Sequence, residues 1–183
     1  MMRWAVALLM MTSAAAAAPA VVTDTSYKDA DGGRVVRESV MVAAPRAMVW
    51  RAFVDDVEFA KWAGLPIAHI VPGNGGSIEF GFMPNSKIGD AMNVRHTIDV
   101  FLPDELLVFH NAYVPAGGPF DPPTFGAVRT LISFEDAGDG RTKVTETVVG
   151  FGTDAKFDQL YDHLHGGNVE YLQSLAGYFA KAH

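Results

Sequence analysis

The sequence predicts an α+β domain in which a curved antiparallel sheet of about seven strands packs around one long C-terminal helix. From Phe157 to Phe179 the large apolar side chains recur at spacings of three and four residues, which is typical of a helix with one buried face. Residues 127–135 alternate in polarity and residues 142–151 are rich in β-branched side chains, which indicates a strand hairpin before the helix. Because the apolar face of a terminal helix must be buried, we expect the sheet to cover it.

Two short helices are predicted between the first strand and the rest of the sheet. Residues 35–42 form the first strand, and Pro45 follows at a position where proline is tolerated as the start of a helix. Apolar side chains at helical spacing then predict one helix over residues 46–54 and a second that ends before Gly64. Residues 21–34 are mostly polar and contain the turn sequence Asp31-Gly-Gly33 near their end, so they are predicted to be an N-terminal arm.

The middle of the chain is predicted to consist of short strands joined by turns. The period of the apolar residues changes to two after residue 66, and segments rich in glycine and proline separate the runs. We expect these strands at residues 67–71, 77–82, 88–101 and 106–113. Sequential strands with short connections pair antiparallel, since parallel pairing would need crossover helices. Residues 115–125 contain four prolines and are predicted to be a loop over one mouth of the molecule.

Gly166 and Gly167 interrupt the apolar face of the predicted long helix. Glycine in a helix interior costs about 1 kcal/mol relative to alanine, so two in succession need an explanation. They could leave room for a ligand beneath the helix, kink it, or divide it into two helices. The sequence does not decide among these alternatives.

The first twenty residues have the composition of a secretory signal peptide. Arg3 gives a positive start, residues 4–11 are apolar, and a run of small residues ends in Ala18-Pro19-Ala20. We predict cleavage near Ala20 and a periplasmic or secreted protein with no stable membrane insertion after cleavage; an uncleaved anchor is the alternative. The predicted organisation is a signal peptide at 1–20, an arm at 21–34 and a single domain at 35–183.

The composition excludes several classes of function. The formal net charge is −7 and no cluster of lysine and arginine is present, which argues against a nucleic-acid partner. The chain has no cysteine, so disulfides, thiolate chemistry and cysteine-ligated metals are excluded. His163 and His165, two residues apart on the predicted helix, point in different directions and make a poor metal pair. We therefore predict neither a metal site nor a cofactor.

Three segments of the chain carry a resemblance to known proteins. They are Val42-Ala-Ala-Pro-Arg46 before Val49-Trp50, Ile98-Asp-Val-Phe-Leu-Pro103 before Leu106-Leu-Val-Phe109, and Thr142-Lys-Val-Thr-Glu-Thr147 before Gly150-Phe151. Together they resemble the helix-grip superfamily, SRPBCC, which includes START lipid-transfer domains, birch-pollen-allergen-like proteins, polyketide cyclases and, as the most similar branch, domains related to the activator of a heat-shock-protein ATPase. The resemblance covers residues 35–183 and implies an internal hydrophobic cavity between helix and sheet, with no single activity.

Glu146 is the first polar candidate for such a cavity. If Val144 and Val148 face the helix, the alternation of a strand turns Glu146 toward it as well. A buried carboxyl group is costly unless it is paired, so Glu146 is either a ligand anchor or a group with a raised pKa. The alternatives are that solvent reaches it at the cavity mouth or that a bulge turns it outward.

Two histidines are predicted to face the same interior. The phase of the apolar residues places His96 beside Val94, Ile98 and Val100, and His110 beside Leu106 and Val108. With Glu146 they would form a polar spot in an apolar pocket, and histidine is also a frequent general acid or base near neutral pH. The alternative is that each is an ordinary hydrogen-bonded histidine of the core.

The predicted cavity wall is mostly aromatic, although aromatic side chains also dominate ordinary cores. The complete set of predicted ligand-binding residues is Trp50, Phe53, Trp62, Phe80, Phe82, His96, Ile98, Phe109, His110, Glu146, Tyr161 and Leu164. No catalytic residue is assigned.

Three functions are compatible with this sequence. The leading hypothesis is an exported protein that binds a hydrophobic or amphipathic small molecule in its cavity. The alternatives are an enzyme of the polyketide cyclase or dehydratase type that uses a pocket histidine and glutamate, and a protein-interaction module of the co-chaperone kind.

Overall fold

Among the residues that the structure describes, one antiparallel sheet of nine strands packs against a helix of 27 residues in the computed structural model of the chain. The structure describes residues 20–28, 30–115 and 121–181. Apart from Ala20, the signal peptide predicted at 1–20 lies outside the described residues and stays a prediction. None of the helices within these ranges has the length and hydropathy needed to cross a membrane.

Within the described ranges, the elements follow one another as two very short strands, one long strand, two helices, four strands, a short helix, a hairpin and the long helix. The strands are β1 (Thr23–Asp24), β2 (Tyr27–Lys28), β3 (Arg34–Val42), β4 (Ile67–Val71), β5 (Ser77–Gly81), β6 (Val94–Leu102), β7 (Leu106–Tyr113), β8 (Arg129–Asp136) and β9 (Thr142–Val149). The helices are α1 (Arg46–Val54), α2 (Asp56–Trp62), α3 (Pro122–Ala127) and α4 (Ala155–Lys181). The order of strands in the sheet is β1-β3-β9-β8-β7-β6-β5-β4, and β2 also pairs with β3.

The predicted α+β class and its helix-grip arrangement are confirmed. The seven longer strands, β3 to β9, form the predicted sheet, while β1 and β2 lie in the segment predicted as an arm and pair with β3. Two details of the prediction are wrong. β6 begins at Val94 instead of residue 88, and α3 replaces part of the loop predicted at 115–125, because Pro122 and Pro123 fit the first turn of a helix.

An irregularity in β6 changes which of its residues face inward. The register against β7 shifts between Ile98 and Val100, as at a β-bulge. Ile98 is fully buried, and the ring of Phe101 packs edge-on against Trp50 with the ring centroids 5.0 Å apart. Since Ile98 and Phe101 both face the interior, the predicted inward orientation of Val100 is wrong.

The helix α4 is continuous through Gly166 and Gly167, and its two halves pack on different apolar clusters. Leu160 in the first half joins a cluster with Val148 and Phe151. Leu172 and the residues that follow it in the second half join the larger cluster. Each half is therefore held against the sheet by its own set of side chains.

Replacement of Leu172 by alanine tests the larger cluster. Leu172 is fully buried, so Leu172→Ala should lower the free energy of unfolding by about 2–5 kcal/mol through lost burial and the remaining void. Leu102→Ala, at a position that is 47% exposed, is the matched control and should change it by less than about 0.5 kcal/mol. Urea denaturation followed by circular dichroism measures both, and equal losses in the two variants would contradict this packing.

Candidate functional site

A cavity of about 450 Å³ lies between the inner face of the sheet and α4. This volume falls within the range of about 300–1,000 Å³ that is usual for small-molecule sites. The side chains that line it from the sheet are Ile78, Phe80, Val94, His96, Leu107, Phe109, Asn111, Thr130 and Glu146. The remaining wall consists of Phe53, Phe59, Ala63, Leu65, Phe82, Val114, Pro115, Phe125, Val128, His163, Leu164, Gly167, Asn168 and Tyr171.

The middle of α4 carries Gly167 and Asn168 on the face toward the cavity, where large apolar side chains would fill part of the space. Leu164, Gly167, Asn168 and Tyr171 follow the helical spacing of one face, between the buried leucines at 160 and 172. A Cβ atom placed at Gly167 would meet no atom within 4 Å. The gap therefore lies between the two apolar clusters that hold the helix.

Glu146 faces this cavity from β9, as the phase of the strand predicts. Its side chain is about 5% exposed, and its Oε2 atom has no hydrogen-bond partner among the described residues. Burial raises the pKa of Glu146 to about 8, and the neighbouring carboxylate of Glu38 adds to the shift. At neutral pH the Glu146 carboxyl group is therefore mostly protonated and can donate a hydrogen bond into the cavity. Its role in ligand binding stays a prediction.

Glu38 is a second buried carboxyl group that the sequence reasoning missed. It is the Cα partner of Glu146 across the β3–β9 pair, and it is 0% exposed. Burial raises the pKa of Glu38 to about 7, against the opposing effect of His165. The signal was present in the sequence, because Val36, Glu38 and Val40 share one phase of β3 just as Glu146 shares the phase of its neighbours.

Two side chains of α4 add polar groups to the cavity. Asn168 is 7% exposed, and its Nδ2 atom finds no hydrogen-bond acceptor in the described part of the chain. The Tyr171 ring packs against Trp62 with the centroids 4.3 Å apart. Burial, with a further contribution from Glu146, raises the pKa of Tyr171 well above its usual value, so its hydroxyl group stays protonated.

His96 lines the cavity from β6 and is held between two aromatic rings. Its ring stacks on Phe80 at 5.3 Å and meets the edge of Phe109 at 4.8 Å. Neither ring nitrogen has a hydrogen-bond partner within the described ranges. Burial lowers the pKa of His96 to about 3, with a further contribution from His110, so the imidazole is neutral at pH 7. A neutral imidazole offers one donor and one acceptor to a bound molecule.

His110 does not face the cavity, which corrects the predicted orientation. Its Nδ1 atom lies 2.9 Å from the carboxylate of Asp99, and Asp99 also pairs with Arg129 at 3.0 Å. The apolar residues used to phase β7, Leu106 and Val108, lie on the outer face of the sheet, while the residues at 107, 109 and 111 line the cavity. The predicted spot of two histidines and one glutamate is therefore not assembled.

The other predicted residues divide between the cavity and its surroundings. Those that line the cavity are Phe53, Phe80, Phe82, His96, Phe109, Glu146 and Leu164. Trp50, Trp62 and Ile98 lie in the core behind the wall, where the Trp62 indole donates a hydrogen bond to the carbonyl of Ala52 at 2.7 Å. Tyr161 lies outside the lining and packs against Phe151.

Several lining residues were not predicted, and they differ in how well the sequence could have indicated them. Ile78 shares the phase of Phe80, and Leu107 and Asn111 share the phase of Phe109, so consistent phasing would have found all of them. Phe125 reaches the wall from α3, in a segment predicted to be a loop, and no periodic pattern indicates it.

An antiparallel sheet with a long helix on one face and a cavity between them defines a helix-grip protein. A family model described as "Activator of Hsp90 ATPase homolog 1-like protein" matches residues 43–180. The chain belongs to this family, as the resemblance in the sequence predicts. No curated protein matches the sequence.

Solved structures share the fold at low sequence identity. Protein MLL2253 from Mesorhizobium loti has a TM-score of 0.61 and 14% identity, with 81% of this chain and 98% of that chain covered. The Aha1 dimer from Colwellia psychrerythraea has a TM-score of 0.56 and 16% identity, with coverages of 78% and 92%. The di-domain ARO/CYC BexL from the BE-7585A biosynthetic pathway has a TM-score of 0.60 and 14% identity, with coverages of 78% and 45%.

The buried carboxyl group of Glu146 predicts a pH-dependent stability. In the unfolded chain its pKa returns to about 4.5, so between that value and about 8 the folded protein holds a proton that the unfolded chain releases. The contribution of protonated Glu146 to stability is complete below pH 4.5 and is lost as the pH rises through 8. The contribution of Glu146 to the free energy of unfolding should therefore fall by about 1.4 kcal/mol per pH unit across this window.

Glu146→Gln should remove this pH dependence, because the amide does not titrate. We expect the variant to gain stability relative to the wild type between pH 5 and pH 8, as measured by urea denaturation at several pH values. Glu135→Gln, at an exposed position of β8, is the control and should follow the wild type. A Glu146→Gln variant with the wild-type pH profile would show that Glu146 is ionised and solvated.

Proposed function

We propose that the protein binds a hydrophobic or amphipathic small molecule in the cavity between the sheet and α4. The observation that carries this proposal is an apolar cavity of about 450 Å³ with polar atoms that lack hydrogen-bond partners among the described residues. Those that border the cavity belong to His96, Asn111, Glu146 and Asn168. Buried polar groups are nearly always hydrogen-bonded, so unpaired ones in a cavity are typical of a binding site.

The chemistry of these groups favours a ligand with an apolar body and uncharged polar groups. Aromatic and aliphatic side chains such as Phe59, Phe80 and Leu107 would bury the apolar body. The protonated carboxyl group of Glu146 and the Nδ2 of Asn168 are donors, so they fit a carbonyl or hydroxyl oxygen. A carboxylate on the ligand would lose its hydration on entering the cavity. Neither Glu146 nor Asn168 carries a positive charge that could compensate for this loss.

We also propose that the protein is exported. The charged start, the apolar core and the small residues before Ala20 support cleavage by signal peptidase. Determination of the mature N-terminus in periplasmic, secreted and cytosolic fractions tests this proposal. An intact N-terminus confined to the cytosol would contradict it.

A second candidate function is an enzyme of the cyclase or dehydratase type. The neutral His96 and the protonated Glu146 both border the same cavity and could exchange protons with a bound substrate. The similarity in fold to a di-domain ARO/CYC is compatible with this function. Turnover of an aromatic polyketide substrate that is abolished in His96→Phe would favour it over simple binding.

A pair of glycine substitutions tests ligand binding in the cavity. Gly167 borders the cavity and Gly166 does not, although both have open space at the Cβ position. Leucine is a good helix former, so Gly167→Leu and Gly166→Leu should both fold. We expect the side chain in Gly167→Leu to occupy the cavity and to weaken binding of the uncharged probe N-phenyl-1-naphthylamine by tenfold or more, whereas Gly166→Leu should bind like the wild type.

Fluorescence titration measures the affinity of the probe for the wild type, for Gly167→Leu and for Gly166→Leu. Mass spectrometry of organic extracts from wild-type protein and from Gly167→Leu, purified from the same host, should recover a small molecule from the wild type alone. A wild-type protein that binds no probe and yields no extractable molecule, or two variants that bind equally well, would contradict the proposal.

A further inference from the structure

Three side chains that can ligate metal ions meet outside the cavity, where the N-terminal arm crosses α4. Asp24 of β1 and Glu38 of β3 are Cα partners in the antiparallel pair, so their side chains lie on the same face of the sheet. His165 of α4 approaches both of them. Its Nε2 atom lies 2.9 Å from Oδ2 of Asp24 and 3.5 Å from Oε1 of Glu38.

The buried carboxylate of Glu38 is the observation that indicates a missing partner. Glu38 is 0% exposed, and neither of its oxygens accepts a hydrogen bond from the described residues. Among the described residues, His165 is the side chain that approaches Glu38, and the distance of 3.5 Å from its Nε2 atom to Oε1 is too long for a hydrogen bond of ordinary strength. A buried carboxylate without a partner is costly, so a group that fits between Glu38, Asp24 and His165 would remove this cost.

The distances within the cluster fit a small cation. One potential ligand atom from each of the three residues lies within 4.8 Å of the other two. A zinc ion binds carboxylate oxygen and imidazole nitrogen at about 2.0–2.2 Å, so tetrahedral ligand atoms are about 3.4 Å apart. The observed separations of 2.9 and 3.5 Å from His165 Nε2 lie close to this value, and the carboxylate oxygens of Asp24 and Glu38 lie within 4.8 Å of each other.

We propose that Asp24, Glu38 and His165 form a binding site for a divalent transition-metal ion of the Zn²⁺ or Mn²⁺ class. An imidazole ligand favours such an ion over Mg²⁺ or Ca²⁺, which prefer oxygen ligands alone. Two carboxylates would balance the charge of the ion. Three protein ligands would leave at least one coordination position for water or for a bound molecule.

Neighbouring contacts already orient two of the three ligands. The backbone N–H of Ser26 donates to Oδ1 of Asp24 at 2.8 Å, which leaves Oδ2 directed toward His165. The His165 ring stacks on Tyr161 with the centroids 5.7 Å apart and the planes within 10°. Contacts of this kind hold the ligands of metal sites in position. Asp24 belongs to the N-terminal arm and His165 belongs to α4, so the ion would connect these two parts of the chain.

Isothermal titration of the metal-free full-length protein with ZnCl₂ tests the proposal, with MnCl₂ and MgCl₂ as comparison ions. We expect one Zn²⁺ per chain, weaker binding of Mn²⁺ and no binding of Mg²⁺. His165→Gln and Asp24→Asn should each weaken Zn²⁺ binding by at least tenfold. His163→Gln is the matched control on the same helix, outside the cluster, and should retain wild-type affinity.

A spectroscopic readout separates ligation from a merely structural effect. Co²⁺ bound in place of Zn²⁺ should give visible d–d absorption bands in the wild type and in His163→Gln, but not in His165→Gln. Circular dichroism confirms that each variant is folded, and Asp24→Asn serves if His165→Gln does not fold. A wild-type protein that binds no Zn²⁺ at one equivalent, or a folded Asp24→Asn and His165→Gln that both bind it as the wild type does, would overturn the proposal.

Discussion

The packing of α4 on the inner face of the sheet is the constraint on which the rest of this structure depends. The helix is 27 residues long, and large apolar side chains hold it near both ends, through Leu160 on one cluster and through Leu172 and Phe179 on the other. A helix that is held at two separated places can span a gap between them without collapse. The small Gly167 and the polar Asn168 occupy that gap, and the cavity follows from them.

The cavity contains polar groups that reduce stability in the absence of a ligand. Glu146 and His96 are mostly neutral at pH 7 because burial in this largely apolar environment disfavours their charged forms. A purely structural core would be expected to carry aliphatic side chains at both positions. Natural proteins keep such unfavourable groups mainly at functional sites, which is the physical reason for proposing that the function lies in this cavity.

Local periodicity in the sequence was sufficient to predict the class of fold, the long helix and the seven longer strands. It was also sufficient for the inward orientation of Glu146 on β9, where the alternation of valines is regular. It failed on β7, because Leu106 and Val108 are apolar on the outer face, and on β6, because a bulge interrupts the alternation after Ile98. In both strands, the pairing with neighbouring strands fixes which residues face inward. The polarity pattern of one strand alone does not show this pairing.

The pairing of β3 with β9 also explains how the protein distributes charge between its two polar sites. Glu38 and Glu146 are partners in this pair, and two carboxyl groups buried side by side do not both ionise without large cost. Burial disfavours ionisation of both groups. His165 favours the ionised form of Glu38 and Asp24 opposes it, whereas the charge of Glu38 disfavours ionisation of Glu146. The negative charge of the pair therefore lies mainly on Glu38, beside the N-terminal arm. The proton lies mainly on Glu146, which faces the cavity. Since that proton makes Glu146 a hydrogen-bond donor, the charge of Glu38 helps to determine what the cavity can bind.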